Sequence, residues 1–137
     1  MLKQLHPEDL KGVNLAHFQP YLEELVDTLD GEMNEEQILE AIRNRTVTLC
    51  GWYNNGVLGC YLIFELEELR NKEKALVVSG VIGETFGDYE EFHQACELIA
   101  KQHGCTKLKA RGRRGIWRKY KPLGYKEQYT VYSYDVA

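Results

Sequence analysis

Several features are missing from this 137-residue sequence, and each absence excludes a class of protein. The four cysteines form no Cys-x-x-Cys pair and match no cysteine–histidine spacing of a zinc site, which predicts reduced thiols and no metal. No apolar run approaches the length of a membrane span, and the first ten residues lack the pattern of a signal peptide. We therefore expect a cytoplasmic protein without membrane contact, folded as a single domain over residues 1–137.

Acidic side chains are absent from residues 98–126, where ten lysines and arginines stand without one aspartate or glutamate. Residues 1–97 have the opposite balance, 19 acidic against 7 basic side chains, so the whole chain carries a net charge of −4. This asymmetry predicts that the basic segment faces an anion or an acidic surface. The alternative is that it pairs with the acidic half of the same chain.

Hydrophobic periodicity predicts a mixed protein with the element order α-α-β-β-β-α-β-α-β, so that two helices precede the first strand. The predicted helices cover 15–29, the segment after Asn34, 88–104 and 116–125, and the predicted strands cover 46–53, 56–64, 75–82, 106–112 and 126–136. Pro20 either starts the first helix or kinks a longer one.

Two local signals predict how the strands pair. Asn54-Asn55-Gly56 has the chemistry of a tight hairpin turn. The strand–helix–strand order over 75–112 predicts a right-handed crossover between parallel strands. The fold class is thus α/β (α+β in some schemes), a mixed, mostly antiparallel sheet with helices on both faces.

The C-terminal half of the sequence carries the pattern of a known family. The third helix ends in Ala-x-x-x-Gly (Ala100 to Gly104), a strand follows, and a short helix ends in Tyr120-Lys-Pro-Leu-Gly124-Tyr125. Together with the element order, this resembles the GNAT superfamily of acetyl-CoA-dependent N-acetyltransferases over roughly residues 20–136. The resemblance implies a GNAT-like fold and acetyl-CoA as cosubstrate, and it places Tyr120 at the tyrosine that often protonates the departing thiolate.

The same resemblance identifies the loop that would hold the coenzyme's pyrophosphate, and this loop departs from the family pattern. The family has Gln/Arg-x-x-Gly-x-Gly/Ala, whereas this chain has Gly83-Glu84-Thr85-Phe86-Gly87-Asp88. Negative charge at Glu84 and Asp88 opposes a diphosphate at a helix N-terminus. The residues that the resemblance assigns to the coenzyme are Val81, Ile82, Gly83, Phe86, Gly87 and Asp88.

Individual side chains have competing interpretations. Tyr120 is a candidate general acid, or an aromatic residue that packs its ring and leaves its hydroxyl at the surface. Glu65 is a candidate general base, or an ordinary charge in a solvated connection. Arg111 and Arg113 are candidates for phosphate contacts that the altered loop lost. The basic 107–121 face is otherwise predicted to dock a protein partner, and nucleic acid is disfavoured by the acidic net charge.

Two functional classes follow from these residues. The favoured one is a GNAT-fold protein with little or no catalysis that docks a protein partner. In its Gly-Arg-Arg-Gly motif at residues 112–115, the chain resembles the GNAT-like accessory or virion proteins of tailed bacteriophages. The alternative is an acetyl-CoA-dependent N-acyltransferase with an altered pyrophosphate site.

Overall fold

The structure of the chain is a computed structural model that describes residues 1–29, 31–83, 88–111, 117–128 and 132–136. Its strands are β1 (Leu2–Leu5), β2 (Thr48–Asn54), β3 (Val57–Glu68), β4 (Lys74–Gly83) and β5 (Lys107–Ala110). Its helices are α1 (Val13–Thr28), α2 (Glu35–Arg43), α3 (Tyr89–Gln102) and α4 (Trp117–Tyr120), with short 3₁₀ turns at Pro7–Asp9 and Lys121–Leu123. None of the described helices is long and apolar enough to cross a membrane.

The sheet has the order β1-β2-β3-β4-β5, and its first four strands are antiparallel. Asn55 and Gly56 have positive φ, 51° and 80°, in the tight turn between β2 and β3, which confirms the predicted hairpin. Strands β4 and β5 are parallel and joined by α3, which confirms the predicted crossover.

Helices cover both faces of the sheet, because alternate residues of each strand point in opposite directions. On one face, Tyr61 and Ile63 of β3 pack with apolar residues of α1 and α2. On the other face, Leu62 and Phe64 of β3 pack with Phe92 and other apolar residues of α3. The fold is therefore the predicted mixed α/β class, with two apolar clusters separated by one sheet.

The helix boundaries follow local capping chemistry. Asn34 and Gln37 form the predicted reciprocal capping box at the start of α2. Asp88 caps α3 by accepting hydrogen bonds from two backbone N–H groups of the first turn. Gly104, with a φ of 71°, ends α3 in the left-handed conformation that was predicted for it. Pro20 lies inside the continuous helix α1.

Three predicted features differ from the structure. The prediction that helices precede every strand is wrong, because Leu2–Leu5 forms β1 against β2. The predicted helix over 116–125 ends at Tyr120 and passes into a 3₁₀ turn that Gly124 closes with a φ of 95°. Of the predicted strand over 126–136, the described residues 126–128 and 132–136 are not in a strand.

The burial of the cysteines predicts how many thiols react in the native protein. Burial raises the pKa of Cys50, Cys60 and Cys96 to about 12, whereas Cys105 is partly exposed. Because the thiolate is the reactive form, we expect Ellman's reagent at pH 8 to titrate one thiol in the native protein and four in denaturant. Fast reaction of a second native thiol would contradict the described packing.

Candidate active site

A β-bulge in the middle of the sheet directs a polar side chain inward. In the register of β3 and β4, Ile63 lies opposite Gly80 and Phe64 lies opposite Val78, so Ser79 is the extra residue of β4. Ser79 is 7% exposed, and its hydroxyl lies 3.4 Å from both the Ile63 carbonyl oxygen and Glu65 Oε2. Bulges often aim side chains into functional sites, and here the bulge brings Ser79 to Glu65.

Glu65 belongs to a network of charges that crosses the sheet from β3 to the end of β5. Arg111 Nη1 lies 3.3 Å from Glu65 Oε1, and Arg111 Nη2 lies 3.5 Å from Glu67 Oε2. Lys109 Nζ lies 2.9 Å from Glu67 Oε1. Lys109 and Arg111 thus share one face of the sheet. They pair with acidic residues of the same chain, which lie on β3.

A cavity of about 230 Å³ lies between this network and helices α1 and α2. Its polar lining comes from Glu65, Ser79, Arg111 and Glu32. Its apolar lining comes from Leu25, Leu29, Met33, Ile38, Ala41, Val47 and Ile63. An apolar cavity with a few convergent polar groups is the usual form of a small-ligand site.

Next to this cavity, one edge of the second half of β4 is unpaired among the described residues; we call it the free edge of β4. Strand β5 pairs with β4 from Ala75 to Val78, and the last bond runs from the Arg111 amide to the Val78 carbonyl oxygen at 3.0 Å. From Ser79 to Gly83, β4 has no partner strand on that side within the described part of the chain. Unpaired strand edges bind extended chains that carry amide groups.

The N-terminus of α3 lies beyond the end of β4 and is acidic. Asp88 Oδ1 accepts hydrogen bonds from the amides of Glu90 at 2.9 Å and Glu91 at 3.2 Å. Glu90 and Glu91 add two further carboxylates to the first turn. A helix N-terminus ordinarily attracts phosphate, but Asp88 already caps this one, and Glu90 and Glu91 add negative charge to its first turn. These three carboxylates oppose a diphosphate at the helix terminus.

The remaining residues that the resemblance assigned to a coenzyme have different environments. Ile82 is buried on the α1 and α2 face, and Val81 packs against the cluster on the α3 face. Gly83 ends β4 with a φ of 116°, in close contact with the backbone of β3. Phe86, Gly87 and Arg113 lie outside the described residues, and their contacts with a coenzyme stay predictions.

Tyr120 lies on the opposite face of the sheet from Glu65. Its ring centroid is 6.4 Å from that of Tyr89 in α3 and 4.9 Å from that of Tyr125, and the residue is 6% exposed. Burial, followed by the neighbouring Cys96, raises the pKa of Tyr120, so its phenol stays protonated at neutral pH. No described contact connects Tyr120 to Glu65, so the two predicted catalytic residues are not brought together.

The helix that carries Tyr120 also presents cations. We call Arg118, Lys119 and Lys121 the α4 basic surface; all three are exposed, and no carboxylate of the described chain lies within 4 Å of their charged atoms. The Lys119 ammonium lies 5.6 Å from the centre of the Tyr89 ring, in the first turn of α3. This surface therefore lies next to the α3 N-terminus.

Sequence reasoning missed two residues that line the cavity, Ser79 and Glu32. The available signal for Ser79 was the Ser-Gly pair inside the apolar run 75–82, because a glycine within a strand often marks a bulge. No pattern around Glu32 indicated a site. Among the described residues, no group of three or more histidine, cysteine or acidic side chains is arranged to bind a metal.

Comparison with known proteins identifies the fold. No protein-family profile and no curated protein sequence matches the chain. Among solved structures, a ribosomal-protein-alanine N-acetyltransferase from Brucella melitensis biovar Abortus 2308 is similar with a TM-score of 0.72 and 15% identity, over 100% of this chain and 99% of that one. A glucosamine-6-phosphate N-acetyltransferase from Arabidopsis thaliana is similar with a TM-score of 0.63 and 18% identity, over 100% and 98%.

A third similar structure is an aminoglycoside acetyltransferase from an uncultured soil metagenomic sample, with a TM-score of 0.68 and 10% identity over 100% of this chain and 98% of that one. At these identities the likeness concerns the fold. The chain has the GNAT-type acetyltransferase fold along its whole length, as the sequence predicted.

Proposed function

We propose that this chain is an N-acyltransferase that moves an acyl group from a pantetheine thioester to an amine bound in the cavity beside Glu65. The observation that carries the proposal is the edge of β4 from Ser79 to Gly83, which no described strand pairs and which begins at the cavity. A pantetheine arm contains two amide groups, and a strand edge offers them hydrogen-bond partners. The shared fold with acetyltransferases is consistent with this chemistry but does not establish it.

In the proposed reaction, Glu65 accepts a proton from the ammonium group of the acceptor, and the freed amine nitrogen attacks the thioester carbonyl carbon. The new C–N bond forms, the nitrogen loses its second proton as the C–S bond breaks, and that proton passes through solvent to the leaving thiolate. Arg111 and Ser79 hold the two oxygens of the Glu65 carboxylate and orient it toward the cavity. Tyr120, the proton donor that the family resemblance implies, packs on the α3 face and does not line this cavity, so we give it no step in this reaction.

Ordinary acetyl-CoA binding is a poor match for this site, because the carboxylates at the α3 N-terminus oppose a diphosphate. We therefore give Val81, Ile82 and Gly83 a role in holding the pantetheine part of a donor. We assign no phosphate contact to Asp88. Arg111, which was a candidate phosphate ligand, is engaged by two glutamates.

A second function is favoured by the acidic α3 N-terminus and by the burial of Tyr120. In this candidate the fold has lost its catalysis and serves as an accessory protein, of the kind that tailed bacteriophages encode. It would dock a protein partner through the cations that remain unpaired in the 107–121 face. A cytoplasmic or virion location stays a prediction under either candidate.

Titration calorimetry with acetyl-pantetheine and acetyl-CoA separates the two candidates. For the acyltransferase, we expect acetyl-pantetheine to bind with a dissociation constant of about 1 mM or lower. We expect acetyl-CoA to gain at most a few-fold from its phosphates, because the α3 N-terminus repels them. Absence of binding by both compounds at about 10 mM would contradict the acyltransferase and favour the accessory protein.

A further inference from the structure

The α4 basic surface lies next to the α3 N-terminus, whose carboxylates oppose phosphate. This pairing of positive and negative charge favours an acyl donor that carries little phosphate over one that carries much. Free acyl-CoA brings a diphosphate and a further phosphate on its nucleotide, whereas a carrier protein brings its pantetheine arm through a single phosphodiester. At the α3 N-terminus, the carboxylates of Asp88, Glu90 and Glu91 oppose every added negative charge. Of these two donors, the carrier-bound arm brings less phosphate charge near the carboxylates.

The cations beside that helix suit an acidic protein surface. Arg118, Lys119 and Lys121 are exposed on one short helix and its following turn. Lys109 and Arg111 are already matched by Glu67 and Glu65, so they contribute little to an outside partner. Within the part of the chain that the structure describes, the α4 basic surface thus carries positive charge that no nearby carboxylate balances. Complementary charge of this kind steers and orients protein partners.

Contacts of α4 place this surface beside the first turn of α3. Tyr120 packs against Tyr89, and the Lys119 ammonium lies over the same ring. Strand β4 ends at Gly83, and the chain reaches the Asp88 cap of α3 within five residues. A partner seated on the α4 basic surface would therefore be near the end of β4, where the proposed arm enters.

From these three observations we propose that the acyl donor is an acidic carrier protein with a phosphopantetheine thioester, docked on Arg118, Lys119 and Lys121. This inference rests on the proposed acyltransferase function and names its donor. The transferred acyl group leaves the carrier as an amide of the acceptor, and the carrier is released with a free thiol. In this proposal the α4 basic surface binds the acidic body of the carrier, and no nucleotide of CoA is needed for binding.

The test compares three donors and two charge-reversed variants by titration calorimetry. The donors are an acetylated type II acyl carrier protein, acetyl-CoA and acetyl-pantetheine. We expect the acetylated carrier to bind at least tenfold more tightly than acetyl-CoA. We expect Arg118→Glu/Lys121→Glu to weaken carrier binding at least tenfold while acetyl-pantetheine binding is unchanged. The control Lys3→Glu/Lys11→Glu makes the same charge change at exposed residues away from α4 and should leave carrier binding intact.

Each outcome has a distinct meaning. If acetyl-CoA binds as tightly as the carrier, or if the Arg118 and Lys121 reversal has no larger effect than the control, the carrier proposal is wrong and the acyltransferase stands. If none of the three thioesters binds, the proposed function itself fails. If the carrier binds equally well with and without its prosthetic group, the surface docks protein alone, which overturns the donor assignment and supports the accessory protein.

Discussion

Replacing Glu65 with glutamine is expected to lower the rate of acyl transfer by about 100-fold or more, because general base catalysis contributes roughly 10²–10⁴-fold. Glutamine keeps the shape of the side chain and its position near Ser79 but cannot take a proton from the amine. The rate is measured by mass spectrometry as N-acetylated product formed from acetyl-pantetheine and a mixture of small primary amines.

Glu67→Gln is the matched control, because Glu67 joins the same network through Lys109 and Arg111 but does not line the cavity. We expect this variant to keep its rate within a few-fold of the unaltered protein. Each substitution removes partly exposed ion pairs, so each should cost no more than about 1 kcal/mol of stability. Equal loss of rate in both variants would show that Glu65 acts through the network and is not the base.

Replacing Gly83 with alanine is expected to destabilise the protein by about 2–4 kcal/mol, which combines backbone strain and overpacking. Gly83 has a φ of 116°, and a Cβ atom there would lie 2.9 Å from Cys60 Cα and 3.1 Å from the Gly59 carbonyl oxygen. Because both contacts are with backbone, no rotation of a side chain relieves them. The measurement is the free energy of unfolding from urea titration.

Gly104→Ala separates the two causes of this loss. Gly104 also has positive φ, 71°, but no atom lies within 4 Å of the position that its Cβ would take. Its replacement should therefore cost only backbone strain, about 1–2 kcal/mol. A Gly83→Ala variant no less stable than Gly104→Ala would mean that β3 does not approach β4 as closely as described.

The sequence predicted those parts of the fold that depend on neighbouring residues. The hairpin follows from Asn55 and Gly56, which tolerate positive φ. The start of α3 follows from Asp88, whose carboxylate caps backbone groups within the next three residues. Strand β1 was missed because Leu2–Leu5 is too short to show an alternating pattern and is stabilised by pairing with β2.

The site itself depends on residues that are distant in the sequence, which explains why less of it was predicted. Glu65 and Arg111 were both candidates, but their ion pair spans 46 positions and requires β3, β4 and β5 to lie side by side. Ser79 becomes polar lining only because the register of β3 and β4 shifts at Phe64. The departure of the phosphate loop from the family pattern was visible in the sequence, and the structure adds that Asp88 caps the α3 N-terminus.

The predicted docking role of the basic 107–121 face now concerns fewer side chains. Lys109 and Arg111 balance Glu67 and Glu65 within the sheet, which agrees with the alternative of an intramolecular match. These partners lie on β3, within the acidic half of the chain. Docking stays a prediction for the α4 basic surface and for Lys107, which is also exposed.

Backbone amide resonances of β4 provide the most direct test of a thioester donor on its free edge. In ¹⁵N–¹H spectra of the protein titrated with acetyl-pantetheine, the account predicts the largest shifts at Gly80, Val81 and Ile82, with saturation at millimolar donor. It predicts small shifts in β1, which is remote from that edge. Saturating shifts confined to other surfaces, or none in β4 at 10 mM donor, would contradict the proposed site.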